Sequence, residues 1–296
     1  MKTRRSCFYV IAAIFFALFP LILFAQEDTI SVNHDQYNGT VDEKASIHSF
    51  YAGGGLGNNM VYMGSSISQD KPYYYGSLTY GLKDILYFSV ASFHLAAYDP
   101  FMSFNTFSLN YSQIFNSWFD LSASLSRYQV NKQLTDTLFN SFIYGDITFG
   151  FDWRILYTKV SAGGIFAESS GIYLQMRNSR YFETPLFFNG KAYISFDPNI
   201  NMLFGTLTET TTSDGTVTGI TQPFNSKKSS GRGSSGTTTR DYFSLMEVDM
   251  GIPVAFTYNK LTIEAEPGYI LPLYSESDPM NPKGFSILLS CYLRIF

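Results

Sequence analysis

Along most of this chain every second residue is apolar, and that period limits what it can fold into. In WFDLSASLSRY, Phe119, Leu121, Ala123 and Leu125 fall on one face of an extended chain, and Asp120, Ser122, Ser124 and Ser126 on the other. In IYGDITFGFD, Ile143, Gly145, Ile147, Phe149 and Phe151 alternate with Tyr144, Asp146, Thr148, Gly150 and Asp152. In MEVDMGIPVAF, Met246, Val248, Met250, Ile252, Val254 and Phe256 alternate with Glu247, Asp249, Gly251, Pro253 and Ala255. Leu261, Ile263 and Ala265 alternate with Thr262, Glu264 and Glu266. Beyond residue 25 no apolar run approaches the roughly 20 residues of a membrane helix. The expectation is an all-β chain of two-faced strands.

Such strands either pack their apolar faces inward, as a soluble sandwich or barrel, or turn them outward into lipid. Charged residues make up 15% of the chain and aromatics 18%, against roughly 25% charged in a soluble domain. Mean hydropathy is near zero, at -0.01. Inward packing would leave too few charges for a water-facing surface. In lipid every backbone N–H and C=O needs an internal partner, and without helices only a closed sheet supplies it. A transmembrane antiparallel up-and-down β-barrel follows.

Short connections are expected near Lys83-Asp84, Asn116-Ser117, Asp152, Asp197-Pro198-Asn199 and Tyr258-Asn259-Lys260, and longer ones near 64–72, 97–101, 131–138, 167–186, 209–240 and 275–283. Short turns on one side and long loops on the other mark a bacterial outer-membrane barrel, with the short side periplasmic. Counted that way there are twelve strands: 47–62, 73–82, 85–96, 102–115, 118–130, 139–151, 154–166, 187–196, 200–208, 242–257, 261–274 and 284–296. The segment 167–190 leaves ten and fourteen open.

Lys2, Arg4 and Arg5 precede an apolar run from Phe8 to Ala25, so residues 1–25 read as a secretory signal peptide. Its removal leaves 17 Lys+Arg of the original 20 against 24 Asp+Glu. That acidic balance excludes the basic face a nucleic-acid partner requires. One cysteine, Cys291, remains, so no intramolecular disulfide is expected. Residues 26–46 are polar and aperiodic and read as a periplasmic lead to a barrel over 47–296. The external loop 209–240 is a Thr/Ser/Gly-rich tract whose Lys227, Lys228, Arg232 and Arg240 are placed to meet lipopolysaccharide phosphates or water.

The alternation, the turn asymmetry and the terminal Phe296 resemble the outer-membrane β-barrel proteins of Gram-negative bacteria. The resemblance is generic and covers 47–296. It implies location in the outer membrane, contact with its lipid and lipopolysaccharide, and Phe296 as the signal read by the insertion machinery. Two registers compete in SILLSCYLRIF. Arg294, Tyr292, Ser290 and Leu288 share the parity of Phe296, whereas Ile295, Leu293, Cys291, Leu289 and Ile287 are the more apolar set.

On the polar faces Asp120, Asp146, Glu247, Asp249, Glu264 and Glu266 are candidate lumen residues, with Lys159 and Lys191. The last four acids fall on adjacent strands, where like charges repel unless screened. They line a narrow cation-favouring pore, or Lys159, Lys191 or Arg154 cross the lumen and plug it. The expected function is a narrow channel or transport protein for small solutes. The alternative is a plugged structural or interaction barrel that binds a protein or glycan through its outer loops. A rim-site lipid-modifying enzyme comes last. Its sole triad-like set is Ser92, His94 and Asp99, and same-face residues two apart on a strand stand roughly 6–7 Å apart, beyond hydrogen-bond reach. No enzyme activity, cofactor or metal site is expected, because no His/Cys ligand spacing is present. The glycines of GGGLGN, residues 53–58, read as sites of barrel bending.

Overall fold

A computed structural model describes residues 47–135, 137–166, 171–212, 217–221, 237–274 and 283–296. The signal peptide, the lead and most of the external tract lie outside the described residues. Twelve strands form a ring: β1 (His48–Gly57), β2 (Tyr73–Leu82), β3 (Leu86–Leu95), β4 (Phe104–Asn116), β5 (Phe119–Val130), β6 (Phe142–Asp152), β7 (Tyr157–Phe166), β8 (Gly171–Ser179), β9 (Asn199–Thr212), β10 (Thr237–Gly251), β11 (Leu261–Pro272) and β12 (Gly284–Arg294). Each pairs antiparallel with its neighbours in sequence. β1 closes the ring on β12, from Tyr51 opposite Arg294 to Gly57 opposite Leu288. Closure leaves no open sheet edge among these strands. No helix among the described residues is long and apolar enough to cross a membrane.

The outer wall carries the apolar set of each strand. Leu78, Phe88, Leu109, Leu125, Ile147, Ile263 and Leu289 are exposed on it, Leu125 by 52% and Ile147 by 49%. Aromatics gather near both rims. Phe115, Trp118 and Trp153 lie at the short-turn end, and Tyr74, Phe101, Phe166 and Phe285 at the other. This is an apolar belt between aromatic girdles, the surface that a bilayer solvates.

Strand eight departs from the sequence-based boundaries. β8 begins at Gly171, so of the tract 167–186, expected as a long loop, Gly171–Ser179 is a wall strand. Residues Ala192–Phe196, part of the segment 187–196 expected as the eighth strand, instead continue the line of β9 below a break at Pro198. They pair with Val254–Tyr258, which continue β10 below a break at Pro253, and with Phe182–Glu183 below β8. The turn at this end is therefore 184–191, not 197–199. Phe188, Asn189 and Gly190 reverse the chain there with positive φ values of 50°, 59° and 78°. Proline has no N–H for the ladder. At these breaks its carbonyl takes over, as Asp197 donates to Pro253, Arg180 to Pro198 and Ile252 to Pro267. The total stays at twelve because one strand is redrawn rather than added.

The last strand is settled by its partners. Tyr75, on the lumen face of β2, hydrogen-bonds Ser290 (2.9 Å) and Tyr292 (3.0 Å). The parity of Arg294 thus faces the lumen, and Leu289, Leu293 and Ile295 face outward. Phe296 bends away from its own parity to stack on Phe50 of the outer wall, with ring centroids 5.9 Å apart.

The glycines of β1 make room rather than bend. Their lumen-side positions are covered by tyrosine rings from both neighbouring strands. A Cβ on Gly53 would sit 2.7 Å from Tyr292, one on Gly55 2.6 Å from Tyr75, and one on Gly57 would overlap Tyr73.

Candidate functional site

The barrel interior has two zones. Toward the long-loop end the inward residues form one apolar, largely aromatic cluster. Tyr73, Leu95, Phe104, Val130, Phe142, Ile165, Tyr173, Leu203, Leu207 and Met246 come from the wall, and Ile67, Leu134, Leu138, Phe139 and Tyr274 from the connections. Phe93 and Phe104 stack at 4.5 Å, as do Tyr128 and Phe142. The connection after β1 turns in over the mouth through a two-rung hairpin, Val61–Tyr62 with Ser65–Ser66. It is tied down where Tyr274 donates to the Gly64 carbonyl at 2.6 Å.

Met246 joins this cluster through a β-bulge. Leu203 pairs with Glu247 and Phe204 with Leu245, so Met246 is the extra residue. Simple alternation places Met246 on the lipid face with Val248 and Met250. Instead its side chain is turned inward and 0% exposed. Gly205 leaves the space, since a Cβ there would overlap the Met246 sulfur and lie 2.8 Å from Tyr173.

Below this cluster the interior is polar. Asp120 accepts from Tyr157 Oη at 2.7 Å, over Gly150, where any Cβ would collide with both groups. Asp146 accepts from Ser124 and, at 3.3 Å, from Thr148. Glu247 and Asp249 face Pro272 and Ile270 across β10–β11, whereas Glu264 pairs with Ser290 and Ala255. Glu266 is four residues from Ile270 along β11, about 13 Å at strand rise. The four acids of β10 and β11 therefore form two separate pairs, not one stripe.

Of the two arrangements expected for these acids, the one with crossing bases finds no ion pair among the described residues for Lys159, Lys191 or Arg154. Lys159 projects inward, with Nζ 5.3 Å from the Tyr157 ring centre. Lys191 is an exposed residue of the 184–191 turn rather than a wall residue. Arg154 also lies in a turn, where its carbonyl accepts from Arg180. The salt bridge present among the described residues joins Arg177 of β8 to Asp197 at 2.9 Å. Sequence reasoning passed over both residues. Arg177 lies in a stretch read as loop, and Asp197 in one read as turn.

Ser92 and His94 do not form a catalytic pair. Both lie on the outer wall. Ser92 donates to Asn105 at 2.7 Å, and the His94 ring stacks between Tyr74 and Phe101, at 6.0 and 5.2 Å.

A closed twelve-strand antiparallel barrel with an outward apolar belt and a polar interior defines an outer-membrane β-barrel protein, located in the bacterial outer membrane. No family model matches the chain, and no curated protein does. Among solved structures it is similar to the NanC porin, at 6% identity, 83% coverage of this chain, 98% of that one and a TM-score of 0.43. It is similar to LpxR from Salmonella typhimurium, at 6% identity, 82% and 99% coverage and a TM-score of 0.43. It is also similar to OprD of Pseudomonas aeruginosa, at 13% identity, 84% and 67% coverage and a TM-score of 0.33. At these scores the likeness is one of barrel to barrel, and no function follows from it.

Proposed function

We propose that this protein is a plugged outer-membrane barrel whose outer loops bind a protein or a glycan, rather than a freely conducting porin. One observation supports the reading: packed apolar side chains from the wall and three inward-turned connections fill the lumen at the long-loop end. A permanent water path would need polar groups there. Eight-strand barrels are filled by side chains and porins of 16–18 strands are not; in this barrel of twelve, loop residues complete the filling.

The test is reconstitution of the refolded protein in planar bilayers. No steady conductance is expected; stable single-channel steps in the wild type would overturn the plugged reading.

A second reading, a narrow gated passage for small cations, is favoured by the interior below the plug. Asp120, Asp146, Asp197, Glu247, Asp249, Glu264 and Glu266 there outnumber Lys159, Arg177 and Arg294. It predicts conductance only after the plug is loosened, and cation selectivity once it is.

A further inference from the structure

The junction between plug and chamber holds acceptors with no donors. Glu247 is only 4% exposed although it points into a barrel. Its Oε2, Asp249 Oδ1 and the side-chain oxygen of Asn201 are buried without a hydrogen-bond partner. The pairing that brings them together is unambiguous. Asn201 sits directly opposite Asp249 on β9, and its amide nitrogen donates to the other Asp249 oxygen at 3.2 Å. That bond leaves the Asn201 carbonyl oxygen free. Glu247 is two residues along β10 on the same face.

The nearest base in register is Arg177, opposite Asn201 on β8, and it is committed to Asp197. Lys159, one strand further, lies over Tyr157. Two carboxylates on one face, one of them almost fully enclosed, thus lack a neutralising side chain among the described residues. A buried unpaired charge is costly. Water hydrates oxygens but does not cancel their charge.

We propose that Glu247, Asp249 and Asn201 hold a hard divalent cation of the calcium class at the floor of the plug. The donor set is all oxygen, two carboxylates and one amide carbonyl. That set suits Ca²⁺, which takes 6–8 oxygen ligands and accepts water for the remainder. Three protein donors leave those remaining positions to water from the polar chamber below. The site requires the strand pairing, since Asn201 is 46 residues from Glu247 in sequence. It has no signature of ligand spacing, and the sequence-based expectation of no metal site followed from that. The proposal is independent of whether the lumen conducts.

The experiment uses the full mature chain refolded in detergent free of lipopolysaccharide, itself a binder of divalent cations. Calcium chloride is titrated by calorimetry, and heat-induced unfolding is followed with calcium, with magnesium and with chelator. One-site calcium binding and a raised unfolding midpoint are expected. Binding should fall at least tenfold in Asp249→Asn and vanish in the double variant Glu247→Gln, Asp249→Asn. The double variant removes like-charge repulsion and is expected to fold and to be insensitive to chelator. Glu264→Gln with Glu266→Gln, in the lower acid pair, should bind as the wild type does. The proposal is overturned if wild-type unfolding is the same with calcium and with chelator. It is equally overturned if the double variant keeps the calcium response, or if the wild type is stabilised only by lowering pH, the mark of a proton shared between the two carboxyls.

Discussion

At the scale of the residue, the wall of this barrel is defined by what lies on each side of it. Leu125 and Ser122 belong to the same strand, one facing lipid and the other facing the lumen. Leu125→Arg should lower unfolding stability by about 2–4 kcal/mol, the cost of a cation at bilayer mid-depth. Ser122→Arg should cost less than about 1 kcal/mol, because the lumen is wet and acidic there. Urea unfolding in lipid vesicles measures both, and equal losses would mean the faces are misassigned. Gly55 is limited by space rather than by conformation, since the Leu289 carbonyl and the Tyr75 ring both lie where its side chain would be. Gly55→Val should therefore destabilise by about 1–3 kcal/mol, and a paired Tyr75→Ala should restore part of the loss. Absence of any rescue would show that the ring is not the obstacle.

At the scale of the element, irregularities matter more than the regular strands. The Met246 bulge lets one side chain leave the lipid face for the plug without shifting the rest of β10. Deleting Met246 turns a bulged strand into a plain one and leaves the remaining faces in place. Deleting Ser124 from the regular β5 moves half of that strand to the wrong face. The fraction of chains giving a heat-modifiable folded band should thus fall far more for the Ser124 deletion, and the opposite ranking would refute the bulge. The proline breaks at 198 and 253 act similarly. They stop the ladder and restart it in line, so one strand reads in sequence as two.

At the scale of the whole molecule, closure and filling decide behaviour. A closed ring resists detergent until heated, so unboiled protein should migrate faster than boiled protein on a denaturing gel; a single position for both would argue against a stable barrel. The buried apolar cluster draws on nine strands and three connections, so no single loop accounts for it. Phe104→Ala with Tyr173→Ala removes two of its largest buried rings. This double variant should raise bilayer conductance above the wild-type baseline, with cations preferred. Adding Glu264→Gln and Glu266→Gln should weaken that preference, and an unchanged ion selectivity would exclude those acids from the path.

By itself the sequence determined the class of fold. Period-two alternation and scarce charge are local properties, and no closed sheet in water tolerates Leu78, Phe88, Leu125 and Ile147 on its outside. The inward parity of Asp120, Asp146, Glu247, Asp249, Glu264 and Glu266 follows from the same alternation. What the tertiary structure alone decided depends on neighbours distant in the chain. The lumen-side parity of Arg294 follows from Tyr75, more than 200 residues away. The turn of Met246 follows from the gap at Gly205. The separation of the four acids into two pairs follows from the β10–β11 register, which a strand cannot encode alone. Whether the lumen is filled depends on rings of the connections meeting rings of the wall, as Tyr62 meets Tyr128 and Phe139 meets Phe104, and periodicity along one strand contains no information about those contacts.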